Sequence, residues 1–222
     1  MQQVLITGAT KGIGRACAEC FATAGWSVTA VARTASDLEQ MNQVWQKRFP
    51  RVPLDPIVAN LATVEGISLV PEKNYDVVLL NAAGFAPGRL LEEEDVFAQL
   101  LELNVLGNHR LARRLLPALR DRSRGHLVVI GSTGTDNWKG HMTAYVATKY
   151  ALRGLFLGWQ KDLQDSGVLA TLVAPGATLT ASWENETPPP DILDPVQVAQ
   201  IVLEVVQTGT TGRVVVAGDS LN

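Results

Sequence analysis

The chain has 222 residues, 46 % hydrophobic and 18 % charged, with 19 Lys and Arg against 22 Asp and Glu for a formal charge of −3. That apolar content suits a large buried core and excludes a disordered chain, and the slight acidity lacks the basic excess of a nucleic-acid-binding protein. No apolar run approaches the ~20 residues that span a bilayer. The start, MQQVLITGAT, lacks the basic region of a signal peptide, so a cytoplasmic location is expected.

Val4, Leu5 and Ile6 form a β-favouring run that stops at Thr7-Gly8. Residues 13–24 are good helix formers, and Gly25 stands where a helix-ending glycine belongs. A buried strand is expected over 26–32. Ser36 and Glu39 have capping-box spacing, which predicts a helix to about residue 49, closed by Pro50 and Pro53. Short strands are expected at 57–59 and 77–80. Residues 92–119 carry apolar side chains three and four apart and read as a long helix. Strands at 126–130, 168–174 and 213–217 alternate with helices at 143–163 and 196–207. The strands are unbroken Val/Leu/Ile runs, the pattern of a parallel sheet covered by helices on both faces. The expectation is an α/β fold: one Rossmann-type, doubly wound parallel sheet of about seven strands, forming a single domain over residues 1–222. The Pro-rich segment 181–195 follows a strand's carboxyl end, where open α/β sheets bind ligands, and is expected to be a short lid, with a linker as the alternative.

Cys17 and Cys20 form a C-x-x-C. A zinc site would need two further ligands, and a redox motif would put the first cysteine at the helix start, where a glycine-rich turn stands instead. Both therefore read as packing residues, with no metal expected. The arginines at 110, 113, 114, 120, 122 and 124 read as the solvated face and end of one helix.

The first strand runs into Thr7-Gly8-Ala9-Thr10-Lys11-Gly12-Ile13-Gly14. Glycines at a strand-to-helix turn let the backbone approach an anion, and the helix start offers free N–H groups and the positive end of its dipole to a phosphate. The spacing is G-x-x-x-G-x-G, not the common dinucleotide fingerprint, and no G-K-[ST] follows as in a Walker loop. NAD binding calls for an acid at the end of the second strand; here Ala32 stands there and Arg33 follows. A guanidinium suits a 2′-phosphate, and Lys11 could add a second positive charge, so NADP(H) is expected over NAD(H).

Tyr145 and Lys149 are four apart on a predicted helix and share a face, and Ser132 ends the fifth strand at the ligand edge. A free phenol has a pKa near ~10, and lowering it by three units takes about 4 kcal/mol. An ammonium roughly 4 Å away at an effective dielectric of ~20 supplies about that much, so Lys149 is expected to acidify Tyr145.

The glycine turn, Asn81-Ala82-Ala83-Gly84, Asn104, Ser132, Tyr145-x-x-x-Lys149 and Pro175-Gly176 occur in that order. In this combination the chain resembles the short-chain dehydrogenase/reductase family over nearly its whole length. The resemblance implies a nicotinamide-dependent oxidoreductase that moves hydride between NADP(H) and a carbonyl or alcohol, such as a 3-oxoacyl thioester or a small ketone or aldehyde. Ser132, Tyr145, Lys149 and Asn104 are implied as catalytic, with Asn104 holding a water in a proton relay. Gly8, Thr10, Lys11, Gly12, Ile13, Gly14 and Arg33, then Asn60, Leu61, Asn81, Ala82 and Gly84, and finally Pro175, Gly176, Thr178 and Thr180 are implied to hold the cofactor with Tyr145 and Lys149. Asn60 replaces the aspartate common in the family, which costs a charge. By position Phe85, Thr133, Gly134, Trp138, His141, Met142 and Trp183 could line the substrate site. The resemblance also implies a homodimer or homotetramer packed through the two long helices, with a small-molecule substrate and neither nucleic acid nor membrane as partner. A non-catalytic NADP(H)-binding sensor on the same fold is the alternative.

Overall fold

The structure is a computed structural model that describes residues 1–86, 95–137, 141–183 and 187–217. Seven parallel strands form one sheet in the order β3-β2-β1-β4-β5-β6-β7. These are β1 (Gln3–Thr7), β2 (Ser27–Ala32), β3 (Leu54–Val58), β4 (Val77–Leu80), β5 (Gly125–Ile130), β6 (Val168–Pro175) and β7 (Gly212–Val216). The helices are α1 (Gly12–Thr23), α2 (Ala35–Arg48), α3 (Val64–Leu69), α4 (Phe97–Leu101), α5 (Asn108–Asp121), α6 (Thr143–Asp162) and α7 (Pro195–Thr208). The chain builds outward from β1 to β3, returns to place β4 on the other side of β1, and then continues to β7. The strand order therefore reverses between β1 and β4.

Successive side chains on a strand point to opposite faces, so each central strand serves two cores. Val4 and Ile6 of β1, Val77 and Leu79 of β4, and Val128 and Ile130 of β5 pack toward α1, α2 and α7. Leu5, Val78, Leu80, Leu127 and Val129 pack toward α3, α5 and α6. Each fully buried aliphatic side chain stabilises the fold by about 1.5–3 kcal/mol. That two-sided burial is why the strands read as continuous apolar runs.

Several boundaries differ from expectation, each for a local reason. Helix α2 begins at Ala35 with Thr34 as its N-cap, so Ser36 lies inside the helix and the expected capping box does not form. β3 starts earlier than predicted and includes Pro56, which an edge strand tolerates because one of its sides has no ladder to complete. Helix α3 was not expected; Thr63 caps it by accepting a hydrogen bond from Gly66 N at 3.0 Å. The predicted helix over 92–119 starts outside the described residues and is not uniform: α4 leads into a π-helical turn at Glu102–Gly107 before α5 begins. Helix α7 carries a full capping box on Asp194 and ends at Gly209, whose φ of 68° is left-handed. Cys17 is buried, Cys20 is half-buried, and both are free thiols pushed up in pKa by burial, in keeping with packing roles. Three of the six arginines are more than a solvated face: Arg114 reaches the Val70 carbonyl, Arg122 the Tyr75 carbonyl and Arg124 the Asp76 carboxylate, which ties α5 and the turn after it to the segment before β4.

The glycine turn leaves no room for a side chain at position 14. A Cβ on Gly14 would lie 2.1 Å from the Gly8 carbonyl oxygen and 2.5 Å from Asn81 Nδ2. Replacing Gly14 with Ala should destabilise the protein by about 2–4 kcal/mol. Gly154→Ala on exposed α6, where a Cβ meets nothing within 4 Å, should stabilise it by about 0.5–1 kcal/mol. Urea midpoints of the two variants measure both, and equal midpoints would contradict the packing account.

Candidate active site

The reversal between β1 and β4 opens a crevice at the carboxyl edge, where ligands bind in open α/β sheets. Thr7, the last residue of β1, closes its floor. Its Oγ1 accepts hydrogen bonds from Asn81 N and Ala82 N, both at 2.9 Å. Asn81 in return donates its side-chain amide to Thr7 O at 2.8 Å and Gly8 O at 3.3 Å. The glycine turn and the segment after β4 are thus one hydrogen-bonded unit. Sequence reasoning assigned Asn81 but gave Thr7 no role; a polar residue ending an otherwise apolar strand was the available signal.

Helix α1 starts at Gly12, whose φ of 52° favours glycine, and Lys11 before it provides no side-chain cap. Its first N–H groups are left for a ligand, as in other anion sites at helix starts. The third expected cofactor segment also arrives here. Gly176 N donates to Val216 O, Thr178 Oγ1 to Gly176 O, and Thr178 bridges to Leu193. This folds the chain so that Thr180 faces the turn: a Cβ on Gly12 would meet Thr180 Cγ2 at 2.9 Å. Pro175, Gly176, Thr178 and Thr180 are therefore gathered with Gly8, Thr10, Lys11, Gly12, Ile13 and Gly14. Asn60 and Leu61 follow β3 beside the end of β2. Leu61 is buried, and Asn60 is exposed with Oδ1 accepting from Ala62 N at 3.1 Å.

Ser132 follows β5 and caps a short 3-10 turn (Thr133–Thr135), accepting from Gly134 N at 3.0 Å. That bond occupies a lone pair of Oγ and leaves its proton to be donated. Tyr145 and Lys149 occupy one face of α6, and the Ser132 hydroxyl lies near enough to Tyr145 to pull the phenol's pKa down. Lys149 is buried, with Nζ donating to Ile130 O at 3.2 Å and standing 5.6 Å from the centre of the Tyr145 ring. Phe85 packs edge-on against that ring at 5.0 Å.

The expected acidification of the phenol is not what this arrangement produces. Burial pushes Tyr145 up to about 12, with the Ser132 hydrogen bond pulling it down. The same burial pushes Lys149 down to about 8. Desolvation penalises each group's charged form, and the ammonium stands over the ring, bonded to a backbone carbonyl rather than aimed at the hydroxyl.

Asn104 lies in the π-helical turn with its side chain fully buried. Its Oδ1 accepts from Gly84 N at 2.7 Å, and its amide donates to Gly84 O and Thr148 Oγ1, both at 3.0 Å. Thr148 in turn donates to Tyr145 O at 2.7 Å. Both amide protons of Asn104 are used, so its side chain braces the Gly84 loop against the turn of α6 that carries Tyr145 and Lys149. Asn108 Nδ2 donates to Asn104 O at 2.9 Å, filling an acceptor inside the widened turn. Asn108 and Thr148 were not foreseen; polar residues on an apolar helix face were the only sign of them.

The charges around the second strand's end differ from expectation in one respect. Arg33 is exposed, whereas Lys11 is not an unpaired cation: its Nζ lies 3.1 Å from the Asp37 carboxylate. Around the cleft, Thr133, Gly134, His141, Met142 and Trp183 are half-buried, with Trp183 Nε1 donating to Thr178 O at 3.0 Å. Trp138 lies outside the described residues, as do 184–186 of the expected lid. Among the described residues no His, Cys, Asp and Glu cluster could hold a metal ion, and no helix is long and apolar enough to cross a membrane.

A family model described as short chain dehydrogenase matches residues 2–191. An uncharacterized oxidoreductase of Staphylococcus aureus (strain N315) is 29 % identical over 205 residues, covering 90 % of this chain and 88 % of that protein. Among solved structures, a short-chain dehydrogenase from Sphingobium yanoikuyae in complex with NADPH superposes with a TM-score of 0.88 at 24 % identity, covering 97 % of this chain and 87 % of the other. L-sorbose reductase from Gluconobacter frateurii, complexed with NADPH and L-sorbose, gives a TM-score of 0.89 at 24 % identity, covering 100 % of this chain and 97 % of the other. The two structures show a shared fold, and with the family model extending over most of the residues that form the sheet and its cleft, the chain belongs to the short-chain dehydrogenase family.

Proposed function

We propose that the chain is an NADP(H)-dependent oxidoreductase that interconverts a carbonyl and an alcohol, with Ser132, Tyr145 and Lys149 as its catalytic residues. The observation that carries this reading is a tyrosine beside Ser132, one helical turn from a buried lysine, at the crevice edge near the glycine turn. NADP(H), when bound, supplies the hydride chemistry. The glycine turn and the start of α1 suit its pyrophosphate, and Arg33 suits a 2′-phosphate. The named complexes of the two structural neighbours with NADPH support that choice of cofactor. Asn60, Leu61, Asn81, Ala82 and Gly84 would border the adenosine side, and Pro175, Gly176, Thr178 and Thr180 the nicotinamide side.

In the reductive direction Tyr145 donates its proton to the substrate oxygen as negative charge develops there. Ser132 donates a hydrogen bond to the same oxygen. Burial keeps the phenol protonated until the substrate oxygen takes its proton, and the Lys149 ammonium offsets part of the cost of the phenolate left behind without bringing the phenol below its ordinary pKa. Asn104 and Thr148 hold the catalytic turn in place. The neutral side chains of exposed Phe85 and half-buried Met142 and Trp183 suit an uncharged or weakly polar carbonyl, such as a small ketone, an aldehyde or a 3-oxoacyl thioester. Residues 181–195 act as the lid of a single catalytic domain. The chain also assembles as a homodimer or homotetramer through α5 and α6; a cavity of about 440 Å³ between them is lined by Leu116, Trp159 and Leu163, and Leu157 is exposed elsewhere on α6.

Three measurements test these statements. With a panel of ketones, aldehydes and oxoacyl thioesters, Tyr145→Phe should lose at least about 100-fold in NADPH oxidation while binding NADPH within about twofold of wild type. Near-normal turnover would remove Tyr145 from the chemistry, and NADPH binding with no turnover on any substrate would favour the sensor reading. The ordinary Lys pKa is 10.5 and the folded value is about 8, so the ammonium is lost as pH rises through about 8. Reductive kcat/KM should fall across that point, and a profile flat to pH 10 would contradict the role given to Lys149. Sedimentation should show an oligomer that Leu157→Glu shifts toward monomer; a monomeric wild type would rule out the α5–α6 assembly.

A further inference from the structure

The two cations that line the groove between the glycine turn and α2, Lys11 and Arg15, are each matched by a carboxylate. A cavity of about 380 Å³ opens there, bordered by Thr10, Lys11, Arg15, Asp37 and Gln40. Lys11 pairs with Asp37 and Arg15 with Glu19. Asp37 is the only acidic residue in the first turn of α2, and Thr34 leaves that helix start without a side-chain cap. This places a negative charge beside the carboxyl end of β2, where the adenosine ribose of a dinucleotide lies in this class of sheet. Arg33, exposed at that same end, is paired with no carboxylate among the described residues.

We infer that Asp37 is a specificity-determining residue that limits how strongly the chain prefers NADP(H) over NAD(H). The inference rests on the cofactor reading proposed above. Asp37 acts in two ways. It neutralises Lys11, which would otherwise be available to a 2′-phosphate, and its carboxylate repels the roughly −1.5 to −2 charge that such a phosphate carries at pH 7. Lys11 is 69 % exposed, so its pair with Asp37 is weak and salt-sensitive and reduces, without removing, the pull of Lys11 on a 2′-phosphate. Arg33 remains the dominant attractive charge, and the preference for the phosphorylated cofactor is moderated rather than maximal. A nucleotide without the 2′-phosphate meets neither effect.

The test is fluorescence titration of the full chain with NADPH and NADH at low and high salt, repeated with 2′-AMP and 5′-AMP as competing probes. Asp37→Asn should tighten NADPH binding by about 3–10-fold at low salt and leave NADH within about twofold. The gain should shrink at high salt, and it should be smaller when Lys11→Ala is already present. Asp37→Ser serves as a second variant that retains a hydroxyl at the start of α2, and the NADPH-to-NADH ratio cancels any loss of folded protein. If wild type prefers NADPH but both Asp37 variants leave that ratio unchanged or lowered, the inference is overturned and the cofactor reading stands. If wild type binds NADPH no tighter than NADH and Arg33→Ala changes neither, the cofactor reading itself fails and takes this inference with it.

Discussion

The close approach of the Gly14 backbone to the Gly8 carbonyl and the Asn81 amide is the contact on which the rest of the site depends. It can form only because position 14 has no side chain. It draws the start of α1 against the segment after β4, across the point where the strand order reverses. Thr7 completes the junction by offering one hydroxyl to two backbone N–H groups and donating its own proton to Leu79 O. Two strands distant in sequence, β1 and β4, thus end in a shared polar floor with its backbone groups paired, as buried polar groups require.

Burial sets the chemistry of the catalytic pair. Tyr145 and Lys149 are both pushed toward their neutral forms, the phenol upward and the amine downward. The protein holds this costly arrangement with polar contacts that reach the helix from three directions. Ile130 O accepts from Lys149, the Ser132 hydroxyl stands close enough to Tyr145 to pull its pKa down, and Thr148 links the Tyr145 carbonyl to Asn104 in the π-helical turn. The widened turn has a purpose in this scheme, since it aims the Asn104 amide at Gly84 and α6 together, while Asn108 satisfies the carbonyl of Asn104.

The loop carrying Ser132 is fixed by charge as well. Thr135 Oγ1 donates to Ser132 O and accepts from Arg153, and Asp136 pairs with Arg153 of α6 and Arg213 of β7. Arg153 lies one turn beyond Lys149, so the helix that positions the tyrosine and lysine also positions the serine. Individual half-exposed ion pairs are weak. Here one carboxylate joins three elements, which limits how far the loop can move relative to the helix.

Much of this was legible in the residues alone. Unbroken Val and Leu runs alternating with helical periodicity specify a two-sided parallel sheet, because a strand covered on both faces has no polar side to show. The order of the glycine turn, Ser132 and the Tyr145–Lys149 spacing depends only on local rules, a strand followed by a turn and a helix of 3.6 residues per turn. What chain-local rules could not reach was everything decided between distant segments. The pairing of Lys11 with Asp37, the Asn104–Thr148 brace, the π-helical turn and the directions of the Tyr145 and Lys149 pKa shifts all arise from groups brought together by packing. The sequence determined which residues stand at the sheet's carboxyl edge, because periodicity and turn chemistry are properties of neighbours. The tertiary structure decided what charge those residues carry and which of them are already taken, because desolvation and Coulomb energy depend on distance through space and not on distance along the chain.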